Sequence, residues 1–115
     1  MPRFVILTHD FPELHWDLML EQGEVLRTWR LAERPVAGML IEAEALANHR
    51  RHYLDYEGPV SGGRGSVTRF ASGNYVVEQE TAFELRIRLV CEGLPPVALL
   101  RQLAGGKWSV EFISA

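Results

Sequence analysis

The sequence predicts an all-β, mainly antiparallel protein: a small closed or partly open β-barrel with one short helix. The dominant hydrophobic period is two, and the apolar runs are short and broken by Gly, Pro, Asn or Ser. Glycine-bearing turns at Gln22-Gly23-Glu24, Ser72-Gly73-Asn74 and Gly105-Gly106-Lys107 separate alternating runs. Tight turns of that kind join neighbouring strands as hairpins, so the pairing is antiparallel.

Taken in order, strands are expected near Arg3–Thr8, Leu14–Glu21, Val25–Leu31, Gly65–Phe70, Tyr75–Glu80, Phe83–Val90, Ala98–Leu103 and Trp108–Ile113. The first two are separated by a turn at Phe11-Pro12-Glu13. The one helical candidate is Ile41–Arg50, rich in Ala, Glu and Leu. Residues Gly58–Gly65 are too rich in glycine for regular structure and form the main loop. No repeat or low-complexity tract interrupts the chain, and 115 residues fit one domain spanning 1–115.

Composition narrows the function classes. A hydrophobic fraction of 47% with 23% charged residues belongs to a folded globular chain. No apolar run approaches the roughly 18 residues of a membrane span, and no signal-peptide pattern is visible, so the expectation is a cytoplasmic protein without a membrane partner. The single cysteine, Cys91, allows no internal disulfide and reads as a buried strand thiol. A net charge of −3 argues against a general nucleic-acid coat, though a nucleic-acid end gripped locally stays open.

The most informative segment runs from His9 to Glu21. On a strand over Leu14–Glu21, Leu14, Trp16, Leu18 and Leu20 share the core face while His15, Asp17, Met19 and Glu21 share the other. The turn at Phe11-Pro12-Glu13 can fold His9 back beside His15 and Asp17. Two imidazoles and a carboxylate suit Mn²⁺, Zn²⁺ or Fe²⁺ and leave coordination positions open. Spacing alone also admits His15 and Asp17 facing solvent, with His9 in a turn.

Arg3-Phe4-Val5-Ile6, His9-Asp10, Leu14-His15-Trp16-Asp17 and Leu20-Glu21 together resemble the opening motif of the 3′-phosphoesterase domain of bacterial DNA ligase D. That motif reads R-x-F-V-I, then H-D-x4-L-H-Y-D-F-R-L-E. A second block, from His49 to Gly58, resembles the family's H-P-L-x-Y-x-x-F-E-G. The resemblance implies that His9, His15 and Asp17 hold a divalent metal, Mn²⁺ in the family, with Zn²⁺ or Fe²⁺ as alternatives. It implies that His49 and Tyr53 contact the scissile phosphate.

The chain departs from the family's pattern at several points. The arginine of F-R-L-E is Met19, the glutamate before the second-block histidine is Ala47, Asn48 stands where an aspartate is usual, and the proline after His49 is Arg50. The glycine-rich loop is reduced to Gly62-Gly63-Arg64-Gly65, and Glu33 stands where a basic residue is usual. Arg64 and Arg51 are the residues expected to replace the missing cation as substrate-binding groups.

The resemblance therefore implies a metal-dependent 3′-phosphoesterase that trims 3′-phosphate or 3′-ribonucleotide ends of DNA in repair, with a DNA ligase or polymerase as partner. Two alternatives are a binding module for nucleic-acid ends or a repair partner that keeps barrel and metal without turnover, and a phosphoesterase acting on a small phosphorylated metabolite.

Overall fold

Phe4 and Ile6 on the first strand and Leu18 and Leu20 on the second face each other and are at most 1% exposed. The period-two pattern sets this arrangement and repeats around the molecule. In the computed structural model, which describes residues 1–114, nine strands form: β1 Arg3–His9, β2 His15–Gln22, β3 Val25–Leu31, β4 Leu40–Arg50, β5 Gly58–Pro59, β6 Ser66–Glu80, β7 Glu84–Val90, β8 Val97–Gln102 and β9 Lys107–Ile113. All pairings are antiparallel, in the order β1-β2-β3-β4-β9-β8-β7-β6-β5. A further β1–β6 pairing joins the ends of this sheet, giving a closed eight-stranded antiparallel barrel with the short β5 added outside it. Closure leaves the barrel no free edge.

The bore is filled by side chains, among them Phe4, Trp29, Ile87, Leu100, Val110 and Phe112. A second, smaller cluster lies on the outer wall, where Val5, Leu7, Met19 and Leu26 are capped by Leu54 and edged by Tyr53, Tyr56 and Val60. The strands β1 and β2 are thus apolar on both faces because the excursion between β4 and β6 lies over them. Two ion pairs clamp that excursion: Arg3 Nη2 donates to Asp55 Oδ1 at 2.6 Å, and Arg51 Nε donates to Glu21 Oε2 at 2.7 Å. The Glu21 carboxylate also accepts the Arg3 backbone N–H at 2.9 Å. That hydrogen bond first, and then Arg51, hold the Glu21 carboxyl below the usual carboxylate range.

Five sequence expectations are corrected. Cys91 lies just beyond β7 and is half-buried rather than a buried strand thiol, and Gly58–Pro59 of the expected loop pairs with β6 as β5. The segment Ile41–Arg50 is not a helix but most of β4, pairing with β3 on one side and β9 on the other. Helix-forming Ala, Glu and Leu lose to the two ladders because Ile41 and Ala43 are buried on the period of two while Glu42 and Glu44 are exposed. The only helical turns among the described residues are short 3₁₀ pieces at Arg51–Leu54 and Ala104–Gly106. Ser72-Gly73-Asn74 is not a hairpin, since it lies within the fifteen-residue β6. A Cβ at Gly73 would stand 2.2 Å from the Val90 carbonyl oxygen, so the glycine serves a close strand approach rather than a turn. Finally, β2 begins at His15, and Leu14 is 57% exposed instead of joining the core.

Candidate metal centre and its pocket

The outward register of the first hairpin builds the site. His9 pairs with His15, and Leu7 with Asp17, so both histidines and the aspartate share the face opposite the bore. The turn between β1 and β2 returns the chain so tightly that the His9 and His15 rings lie edge to face with centroids 4.8 Å apart. His15 and Asp17 are buried, at 5% and 3% exposure.

Backbone carbonyls decide which ring nitrogens face inward. His15 Nδ1 donates to the Glu13 carbonyl at 2.8 Å, and His9 Nε2 donates to the Arg64 carbonyl at 2.9 Å. A carbonyl only accepts, so each of those nitrogens carries the hydrogen and the neutral ring offers its lone pair at the other. Those other nitrogens are His15 Nε2, 3.2 Å from Asp17 Oδ2, and His9 Nδ1, 3.5 Å from the same oxygen. Ligand atoms bound about 2.1 Å from one ion stand roughly 3.0–3.4 Å apart. Both histidine nitrogens stand near that spacing from Asp17 Oδ2, and all three donors lie within 4.8 Å of one another. Asp17 Oδ1 is buried without a hydrogen-bond partner, a cost that a cation would offset. Donor set, tautomers and orphaned oxygen all fit a divalent metal.

The loop that orients His9 is itself fixed. Asp10 Oδ1 accepts the Ser66 N–H at 2.8 Å, and Gly65, at φ +71°, passes so close that a Cβ there would stand 2.2 Å from that same oxygen. The loop sequence Gly62-Gly63-Arg64-Gly65 thus presents a carbonyl to the His9 ring.

A pocket of about 380 Å³ opens beside the triad, lined by His9, Asp17, Met19, Arg30, Ala47, His49, Tyr53 and Arg64, among others. His49 Nδ1 donates to the Ala47 carbonyl at 2.9 Å, which leaves Nε2 as the ring's free nitrogen. The Tyr53 ring lies 6.0 Å from that of His49, and its hydroxyl has no hydrogen-bond partner among the described residues. The structure therefore brings together six of the seven residues singled out from the sequence: His9, His15 and Asp17 at the triad, with His49, Tyr53 and Arg64 around it. Arg51 stands apart, held by Glu21. The Arg64 side chain is partly committed, its Nε donating to the Ser61 carbonyl at 2.7 Å and its Nη2 to Ser61 Oγ at 3.2 Å.

Arg30 is the pocket residue that sequence reading missed. It lies directly across the β2–β3 ladder from Asp17. Counting outward from the tight turn at Gly23-Glu24, where Gln22 faces Val25, gives this pairing from the sequence alone.

No curated protein matches the chain. The model of the DNA ligase D 3′-phosphoesterase domain matches residues 7–112, a span that runs from the end of β1 to β9 and contains the triad, His49 and Tyr53. With nearly the whole barrel inside that match, the chain belongs to the DNA ligase D 3′-phosphoesterase domain family.

Proposed function

We propose that the protein is a metal-dependent 3′-phosphoesterase acting on DNA 3′ ends in repair, with Mn²⁺ held by His9, His15 and Asp17. The observation that carries this reading is the convergence of two oriented imidazole lone pairs and a carboxylate with an orphaned oxygen on one wall of a pocket faced by His49 and Tyr53. A divalent ion held there would supply Lewis acidity to a phosphoryl oxygen and to an attacking water.

The chain's own residues do the rest. Water attacks phosphorus and the P–O bond to the departing 3′ oxygen breaks, so a proton must reach that oxygen. With Nδ1 committed to Ala47, His49 can deliver the proton only from Nε2. The Tyr53 hydroxyl, without another partner, donates to a non-bridging oxygen. The carbonyls of Glu13 and Arg64 hold the two triad rings so that neither needs to reorient.

Metal-dependent turnover on a primer–template bearing a 3′-phosphate tests the proposal, with Asp17→Ala as control. Release of phosphate by the unaltered protein with Mn²⁺, and none by the variant, is the expected result. No release under conditions where another member of the family is active overturns it. Met19, packed in the outer apolar cluster, favours a second reading in which the barrel binds 3′ ends without turning them over. End binding with no product over many hours is the result that selects it.

A further inference from the structure

We propose that Arg30 forms the oxyanion subsite of this pocket, where its guanidinium binds the non-bridging oxygens of a terminal phosphate. The inference deepens the phosphoesterase reading and rests on it for the choice of ligand.

Arg30 occupies the outward register of β3, between Trp29 and Leu31, which turn into the bore. Its two cross-strand neighbours are both acidic: Asp17 on β2 and Glu44 on β4. An arginine so placed would ordinarily close an ion pair with one of them. Among the described residues it closes neither, and its Nε is buried with no hydrogen-bond partner. By contrast, Arg3, Arg27, Arg51, Arg69, Arg86, Arg88 and Arg101 all pair with carboxylates.

A buried, unsatisfied guanidinium N–H is costly unless something accepts it, and the acceptor it suits is a planar or tetrahedral oxyanion gripped by two parallel N–H donors. Arg30 lines the pocket that holds Asp17, His49 and Tyr53. It also lines the neighbouring groove bounded by Glu42, Glu44, Lys107 and Trp108, the only one of the described residues to line both. Three arginines line that pocket, Arg30, Arg50 and Arg64, and Arg30 is the one on β3, directly across the ladder from Asp17. Met19, the adjacent outward residue on β2, offers no charge and is packed in the apolar cluster. The net charge of −3 makes such a local cation the more necessary, since the protein as a whole does not attract a polyanion.

The test is calorimetric binding of inorganic phosphate, with and without Mn²⁺, to the unaltered protein, Arg30→Met and Arg30→Lys, alongside Mn²⁺ titration of each. Arg30→Met keeps the length of the side chain without its charge. The expected result is phosphate affinity at least about tenfold weaker in Arg30→Met and intermediate in Arg30→Lys, with Mn²⁺ affinity unchanged. If Arg30→Met does not fold by circular dichroism, Arg30→Lys carries the same comparison, because it keeps the charge and loses the paired donors. Unchanged phosphate affinity overturns the proposal. So does a parallel loss of Mn²⁺ and phosphate, which would make Arg30 a neutralising neighbour of Asp17, and so does absence of phosphate binding by the unaltered protein. Phosphate bound through Arg30 but no turnover on a 3′-phosphate end leaves the subsite standing and sinks the phosphoesterase reading instead.

Discussion

The carbonyl of Arg64 accepts the Nε2 hydrogen of His9 at 2.9 Å, tying a ring at the end of β1 to a loop 55 residues further along the chain. The loop therefore sets the tautomer of one of the three candidate ligands. Because Gly65 holds the left-handed conformation and has no room for a side chain beside Asp10, Gly65→Ala must displace that carbonyl. The expected outcome is Mn²⁺ affinity about 10–100-fold weaker, with a stability loss of about 1–3 kcal/mol. Isothermal titration and thermal unfolding of the same sample check both.

Asp17→Ala removes the oxygen that both histidines face. Mn²⁺ binding is expected to fall by more than about 100-fold while the far-ultraviolet circular dichroism spectrum is unchanged, because the side chain lies opposite the bore-facing Leu18. Retained Mn²⁺ affinity would show that the ion sits elsewhere. In the unaltered protein, affinity should also decline on acidification, since protons compete for the same imidazole lone pairs.

His49→Ala separates metal from chemistry. The ring contacts the pocket but not the triad, so turnover should fall by about 10²–10⁴ while Mn²⁺ affinity holds. Equal losses in both would place His49 among the ligands.

Glu21→Gln probes the clamp on the outer cover. The Glu21 carboxyl is held below its usual value of 4.5 by the Arg3 N–H and Arg51, so its contribution to stability is present above that value and fades as pH falls through the lower folded value. Thermal unfolding should show the variant less stable by on the order of 1 kcal/mol at pH 7, and the difference should shrink below about pH 4.5. A difference that grew on acidification would refute this assignment.

The triad was legible because a two-residue period and a tight turn leave His9, His15 and Asp17 few arrangements. The barrel was legible for the same reason, through hairpins such as that at Gly23. Composition misled at Ile41–Arg50, where Ala, Glu and Leu favour a helix locally while pairing with β3 and β9, both remote in sequence, decides for a strand. Gly73 misled likewise, since the reason for it is the Val90 carbonyl, seventeen positions away. Arg30 lay within reach of hairpin counting, but its missing partner could be seen only once the neighbouring carboxylates were placed.

Because the candidate chemistry hangs on the outer wall while the bore holds only packing, neighbouring letters of the same strand answer to different pressures. Along Phe4–His9 and His15–Glu21, a saturation library scored once for abundance and once for turnover should separate the triad positions from the apolar positions of both faces. Substitutions at Phe4, Ile6, Leu18 and Leu20 in the bore, and at Val5, Leu7 and Met19 under the outer cover, should cost folded protein, whereas those at His9 and Asp17 should leave the protein in the cell and silence it. Such a scaffold can gain or lose an activity one alternate position at a time without renegotiating its core.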